Sequence, residues 1–308
     1  MMGKKRGILA VGSVALDSVE TPFGKVDNAL GGSATYFSAS ARFFCPVSLV
    51  AVVGDDFPAR HLRLLRNLGV DTRGIEIRKG GKTFRWKGFY DANLNNAQTL
   101  KTELNVFQSF KPTLSEENRR SAFVFLANID PELQYHVLRQ MRGALSGGDT
   151  MNFWIKSKRP QLLRMLRRLH ILFVNDQEAR MLTGEHSLLK ASLGLLRLGP
   201  RVAVVKKGEH GSMIRSRAGV QFCPPFPVRD VRDPTGAGDS FAGAFMSVLA
   251  KSGRRSRNLD EKILARACAF GSVVSSFTVE SFGVAGLVRL KPAAIRGRYE
   301  KLKTLVAI

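Results

Sequence analysis

Asp233-Pro234-Thr235-Gly236-Ala237-Gly238-Asp239 is a glycine-rich heptapeptide that stands directly before a strongly apolar segment of the chain. The apolar residues that follow recur every three or four positions, which is the spacing of one buried helical face. These residues are Phe241, Ala244, Phe245, Val248 and Leu249. The heptapeptide therefore predicts the N-terminus of a buried helix.

The glycines of this heptapeptide predict a tight turn that leaves backbone N–H groups uncovered at the helix start. Uncovered N–H groups and the positive end of the helix dipole together favour an anion at that place. Asp239 lies in the first turn, where a carboxylate can accept the proton of a hydroxyl group while the N–H groups stabilise a transferring phosphoryl group. The plain alternative is an ordinary helix start with a glycine turn and a favourable acidic residue.

Two other glycine motifs that begin in the same way are excluded by the next residues. A dinucleotide-binding fingerprint needs Gly or Ala at its sixth position, where this chain has Phe241. A Gly-x-Ser-x-Gly nucleophile motif around Ser240 fails at Ala242. The anion site with an adjacent base is therefore the preferred interpretation.

The heptapeptide and the following Ser-Phe-Ala-Gly-Ala-Phe resemble the C-terminal signature of the ribokinase/PfkB family of carbohydrate and nucleoside kinases. The resemblance implies that Asp239 is the catalytic base and that the amides of Gly236, Ala237 and Gly238 form the anion hole. It implies one kinase domain over residues 1–308, folded as a three-layer α/β/α sandwich with a mostly parallel central sheet and a small β lid. The expected reaction is ATP-dependent phosphorylation of a hydroxymethyl group on a sugar or nucleoside.

Polar residues follow several apolar runs that predict buried strands. Ile8 to Leu16 predicts a strand that ends at Asp17, and the runs before Asn128, Asn175 and Lys206 predict three more. Ligands of parallel α/β sheets gather beyond the carboxyl ends of the strands. We therefore expect these four side chains and Asp239 to meet at one edge of the sheet. The segment from Gly147 to Trp154 is too rich in glycine to predict as a strand.

The acceptor side of the expected site comes from the N-terminal third of the chain. Gly31-Gly32-Ser33 at a predicted helix start lets a substrate approach the backbone closely. It matches the N-terminal Gly-Gly signature of the resembled family, whose members hold the sugar with an Asp after the first strand, here Asp17. Some members have Lys and Asn where this chain has Ser33 and Tyr36. We assign the six substrate-binding residues as Asp17, Gly31, Gly32, Ser33, Tyr36 and Asn128.

The nucleotide side rests on two further matches to the family. Asn175 and Glu178 match an Asn-x-x-Glu motif whose Glu organises Mg²⁺, chiefly through water, although the same pattern is a common helix cap with a capping-box partner. Lys206, Gly208 and Gly211 stand where relatives often have Thr-x-Gly-x-x-Gly, and a plain hairpin turn is the alternative. We expect ATP and Mg²⁺ as cofactors, and the resemblance also allows a monovalent cation such as K⁺. The metal is assigned to Glu178 and Asp233.

The resemblance implies that two segments, at about residues 18–30 and 75–106, form the lid. In the second segment Phe84 and Trp86 alternate with basic residues, which predicts an antiparallel excursion with one apolar face. Asn93, Asn95 and Asn96 predict its turn. A lid would exclude water from the reacting phosphate, and a homodimer formed through the lid is consistent with the resemblance.

The composition bounds the remaining possibilities. The 308 residues are 44% hydrophobic, and the three cysteines have no metal or redox spacing. No apolar run approaches the length of a membrane span, so we expect a cytoplasmic protein. The 48 Lys and Arg against 25 Asp and Glu give a net charge of +23, which attracts anions. A non-catalytic binder of nucleic acid or another polyanion with a kinase-like fold is the second, less favoured hypothesis, since no nucleic-acid-binding motif accompanies the charge.

Overall fold

A computed structural model describes residues 7–94, 97–253 and 259–306. Its larger sheet, within these residues, consists of β1 (Ile8–Val11), β4 (Val47–Gly54), β5 (Val70–Arg78), β8 (Phe123–Leu126), β9 (Leu145–Asp149), β10 (Ile171–Asn175), β11 (Val202–Lys206), β12 (Ser212–Arg215) and β13 (Val220–Cys223). The strands lie in the order β13-β12-β11-β10-β9-β8-β1-β4-β5. All pairs from β11 to β5 are parallel, and β12 and β13 extend one edge in antiparallel pairing.

Helices cover both faces of this sheet. The helices described are α1 (Ser33–Ala41), α2 (Ala59–Asn67), α3 (Glu116–Arg119), α4 (Pro131–Gln140), α5 (Asn152–Ser157), α6 (Arg159–Leu166), α7 (Asp176–Thr183), α8 (Leu188–Arg197), α9 (Ala237–Ser252), α10 (Glu261–Thr278), α11 (Ala285–Arg289) and α12 (Pro292–Leu305). One apolar core contains residues of α1, α2 and α9 to α12, and a second contains residues of α4 to α8. The predicted three-layer α/β/α sandwich is therefore confirmed. None of these helices is both long enough and apolar enough to cross a bilayer.

The central strands are apolar on both sides because each side meets a helical layer. All eight residues of β4 are buried. In β10, Phe173 points into the first core and Val174 into the second. The ring of Phe173 meets Phe245 of α9 edge to face, with 5.2 Å between the centroids. The predicted apolar face of α9 is thus the face that packs on the sheet.

A second sheet stands apart from the first. It consists of β2 (Ala15–Thr21), β3 (Gly24–Gly31), β6 (Arg85–Tyr90) and β7 (Ala97–Glu103), in the order β3-β2-β6-β7. The β2–β3 and β6–β7 pairs are antiparallel, while β2 and β6 are parallel. This is the small sheet that the fold prediction included, and its action as a lid stays a prediction. Asn95 and Asn96 of the predicted turn lie outside the described residues.

The prediction of one strand from Ile8 to Leu16 is wrong. β1 ends at Val11, and after Gly12 the chain crosses to the second sheet, where β2 begins at Ala15. The run is buried throughout, so its pattern contains no sign of the crossing. The second segment predicted for the lid is divided between the two sheets, because Ile75 belongs to β5 at the edge of the main sheet and the small sheet continues only at β6.

The glycine-rich segment was not predicted as a strand, but its first residues, Gly147 to Asp149, form the second half of β9. This strand lies in the middle of the main sheet. A Cβ atom at Gly147 would stand 2.7 Å from Sδ of Met246 in α9. Glycine therefore lets α9 pack directly on the strand, and this contact lies about 100 positions away along the chain, so local propensity could not indicate it. The carboxyl end of β9 brings Asp149 to the same edge as Asn175 and Lys206.

Candidate active site

The N-terminus of α9 has the geometry of an anion site. Gly236 is its N-cap with φ 76°, a conformation that favours glycine, and a Cβ atom there would stand 2.2 Å from the ring of Tyr36. The amides of Gly238 and Asp239 have no hydrogen-bond partner among the described residues. The Ala237 amide was predicted to form part of the anion hole, but it donates to the carbonyl of Pro234 at 3.1 Å.

Asp239 lies half-buried in the first turn of α9. Its Oδ1 accepts a short hydrogen bond from the hydroxyl of Ser33, which in turn accepts the N–H of Asn128 at 3.2 Å. Burial raises the pKa of Asp239 above its usual value, while the Ser33 hydrogen bond and the positive charge of Lys206 oppose the rise. A carboxylate that is more basic than usual and reachable by a hydroxyl is suited to accept a proton.

Asp17 lies inside β2 of the second sheet, so the prediction that it follows a strand of the main sheet is wrong. Its Oδ2 accepts the N–H of Gly32 at 3.1 Å. A Cβ atom at Gly31 would stand 1.9 Å from the same oxygen, which explains the Gly-Gly pair. Burial raises the pKa of Asp17 to about 7, with further contributions from the charges of Asp239 and Asp233.

The other two residues predicted to bind the substrate, Tyr36 and Asn128, contact neighbouring parts of the protein. Tyr36 is only 1% exposed, and its ring packs under Gly236. The Tyr36 hydroxyl has no hydrogen-bond partner in the part of the chain that the structure describes. The side chain of Asn128 accepts the indole N–H of Trp154 at 3.1 Å and donates to Sδ of Met151 at 3.1 Å. Tyr36 thus supports the glycine turn from below, and Asn128 is held by the segment after β9.

Asn175 and Glu178 form the capping box that the pattern allowed. The Asn175 side chain accepts the Glu178 N–H, and Glu178 Oε2 accepts the Asn175 N–H, both at 2.7 Å. Burial raises the pKa of Glu178, while the charge of Lys206 opposes the rise. One carboxylate oxygen remains outside the cap and can face a metal or its water.

Asp149 was missed by the sequence analysis, and the structure brings it to the centre of this edge. Only 5% of the residue is exposed, and its Oδ1 has no hydrogen-bond partner among the described residues. Burial raises its pKa well above the usual range, the charge of Asp239 adds to the rise, and Lys206 opposes it. The available signal was an acidic residue after the run Leu145 to Gly148, which becomes informative once that run is recognised as a strand.

The predicted metal ligand Asp233 instead connects three parts of the backbone. It is fully buried, and its oxygens accept the N–H groups of Thr235 at 2.9 Å and Gly283 at 3.0 Å. Its own N–H donates to the carbonyl of Val279 at 3.2 Å. Asp233 therefore holds the start of α9 against the chain that follows α10.

The second glycine segment turns beside β11. Gly208 and Gly211 have φ 55° and 77°, and a short 3₁₀ turn separates them. A Cβ atom at Gly211 would stand 2.2 Å from the carbonyl oxygen of Cys223. Both glycines are thus required by the backbone, whichever ligand binds there.

Together these groups form one site at the carboxyl edge of the sheet. A basic carboxylate (Asp239) adjoins two uncovered amides and shares a side-chain hydrogen bond with Asp149. The charge of Asp239 also acts on a second carboxylate (Asp17), and Glu178 interacts electrostatically with both Asp149 and Asp239. Within the described residues there is no group of three or more His, Cys, Asp or Glu that could hold a metal by itself. Mg²⁺ commonly binds through one or two carboxylates, water and substrate phosphates. Asp149 and Glu178 fit that pattern, because each has an oxygen free of protein partners.

Comparison with known proteins agrees with this chemistry. A model of the pfkB family carbohydrate kinases matches residues 8–289, so the chain belongs to this family. Its activity is that of the class: ATP-dependent transfer of a phosphoryl group to a hydroxyl group. A cytidine kinase of Thermococcus kodakarensis is 30% identical over 261 residues, which are 82% of this chain and 91% of that protein.

Two solved structures share the fold. The nucleoside kinase of Methanocaldococcus jannaschii superposes with a TM-score of 0.75 and 23% identity, covering 97% of this chain and 99% of that one. A ribokinase-like protein from E. coli, solved in complex with ATP and Mg²⁺, gives a TM-score of 0.78 and 17% identity, covering 96% of this chain and all of that one. Both likenesses show that this chain has the fold of these kinases.

Proposed function

We propose that this chain transfers the γ-phosphoryl group of ATP to the hydroxymethyl group of a nucleoside. One contact carries the proposal: Asp239 Oδ1 accepts the hydroxyl of Ser33 directly beside the uncovered amides of α9. An acceptor hydroxyl that replaces the Ser33 hydroxyl would meet the base and the phosphoryl site together. Such alignment of reacting groups is a main source of rate enhancement in phosphoryl transfer.

Two observations favour a nucleoside over a free sugar. The cytidine kinase and the nucleoside kinase described above are named for nucleosides. Phe153 is 54% exposed and stands edge to face with Trp154 at 4.8 Å, and Trp154 in turn holds Asn128. An exposed aromatic ring beside the acceptor side gives a base a surface to stack on.

The residues divide the reaction between them. Asp17, fixed through Gly32, accepts hydrogen bonds from the sugar hydroxyls. Asp239 takes the proton of the hydroxymethyl group while the oxygen of that group forms a bond to the γ-phosphorus. The bond between the γ-phosphorus and the β–γ bridging oxygen breaks, and ADP leaves. The amides of Gly238 and Asp239 stabilise the charge that develops. Mg²⁺, when bound, would neutralise phosphate oxygens, and we assign it to Asp149 and Glu178 rather than to Asp233.

The test is ADP formation with a panel of nucleosides and sugars, including cytidine, inosine, ribose and fructose. We expect nucleosides to be turned over best, and Asp239→Asn to lower kcat by about 10²- to 10⁴-fold, the usual contribution of a positioned base. Asp230→Asn is the matched control, since Asp230 is exposed and lies just before the heptapeptide. An Asp239→Asn enzyme with full activity would contradict the assignment. No turnover with any acceptor, together with salt-sensitive nucleic-acid binding, would favour the polyanion-binding hypothesis.

Three finer expectations belong to the same proposal. Leu100 of β7 is 57% exposed on an edge strand of the small sheet, which favours a homodimer through the lid; light scattering of Leu100→Glu against the native chain tests it. A monovalent cation such as K⁺ would bind near the Asp233 loop and raise the rate above that in tetramethylammonium salts. We also propose a cytoplasmic location, which fractionation of the native host would test.

A further inference from the structure

Lys206 stands at the centre of the site rather than at its border. It ends β11, opposite Asn175 at the end of β10. A Cβ atom at Gly238 would meet its Nζ at 2.7 Å, so the ammonium group lies over the second residue of α9, beside the uncovered amides. Relatives of the resembled family often have threonine here, which is shorter and uncharged.

The ammonium group of Lys206 interacts electrostatically with three carboxylates and forms an ion pair with none of them. Its positive charge acts on Asp149, Glu178 and Asp239, and in each case it opposes the effect of burial. In the part of the chain that the structure describes, Lys206 has no ion pair or side-chain hydrogen bond. A half-buried ammonium without a fixed partner, next to amides that favour an anion, can donate a hydrogen bond to a phosphate oxygen without breaking a protein contact.

We infer that the ammonium group of Lys206 binds the γ-phosphoryl group of ATP and stays with it during transfer. The inference rests on the proposed kinase reaction and deepens it, because it gives this chain a fixed cation at the anion site in addition to Mg²⁺. Lysine suits this task, since its compact charge and flexible stem let it follow a moving phosphate.

The first test compares ATP with ADP, because only ATP has the γ-phosphoryl group. Binding of each nucleotide is measured by calorimetry, with and without Mg²⁺ and with no acceptor present. For Lys206→Met we expect ATP to bind about 10- to 100-fold more weakly, the loss expected for one charge-assisted hydrogen bond, while ADP binding is unchanged. Lys206→Arg should restore part of the preference. Lys207→Met is the matched control, because Lys207 is the next residue in the chain and its ammonium group lies over the Phe222 ring, 5.7 Å from the ring centroid.

The second test is kcat at saturating ATP and acceptor. Because the ammonium group stays with the phosphoryl group during transfer, Lys206→Met should lower kcat as well, and Lys206→Arg should restore part of it. Equal losses for ATP and ADP, or no loss, with an unchanged kcat would overturn the inference. The binding comparison needs no acceptor, so it distinguishes a failure of this inference from a failure of the proposed reaction.

Discussion

Asp17 should reduce the stability of the folded chain at neutral pH. Burial moves its pKa from 3.8 to about 7. Since one pKa unit corresponds to about 1.36 kcal/mol, the ionised form loses up to about 4 kcal/mol on folding. At a pH between these two pKa values, the folded state holds a proton that the unfolded state has released. The free energy of unfolding therefore falls as the pH rises through this range.

Asp17→Asn removes this cost and keeps a side-chain oxygen for the N–H of Gly32. We expect the variant and the native chain to unfold alike near pH 4. By pH 8 the variant should be more stable by up to about 4 kcal/mol, which is a rise of several degrees in Tm for a chain of this size. Urea unfolding at a series of pH values measures the difference directly.

The matched control is Asp27→Asn, an exposed residue of the same small sheet. It should leave the pH dependence of unfolding unchanged. A stability difference for Asp17→Asn that stays flat from pH 4 to pH 8, or that has the opposite sign, would refute the argument. If Asp17→Asn gains stability at high pH and no longer binds the phosphoryl acceptor, then the Asp17 carboxylate lowers the stability of the fold but is needed to bind the substrate.

Three further perturbations follow from the same geometry. Asp149→Asn should lower Mg²⁺ affinity at least about tenfold in a titration of initial rates without lowering Tm, because burial disfavours the ionised carboxylate that the substitution removes; unchanged metal dependence would contradict the assignment. Gly236→Ala should cost about 1–3 kcal/mol in urea unfolding, since φ is 76° and the new Cβ would meet Tyr36. Tyr36→Phe should keep or raise stability because the lost hydroxyl has no partner among the described residues, and a loss above about 1 kcal/mol would show that it has one.

Much of the architecture could be predicted because its signals are local. The apolar spacing after Asp239 indicates a buried helix, and continuous apolar runs such as β4 and β10 indicate strands covered on both faces. The glycines of the heptapeptide indicate a turn at the helix start. These patterns, with the family signature, were enough to predict the sandwich, the glycine turn before α9 and the class of reaction.

The sequence alone therefore determined which segments are buried and where the α9 turn lies, because periodicity and glycine act within a few residues. Only the tertiary structure decided which sheet each run joins. It placed Asp17 in the small sheet, Asp149 at the end of a glycine-rich strand and the Lys206 ammonium over Gly238. Strand partners, burial and the fields of distant charges depend on contacts between residues far apart in the chain, and no local pattern contains them.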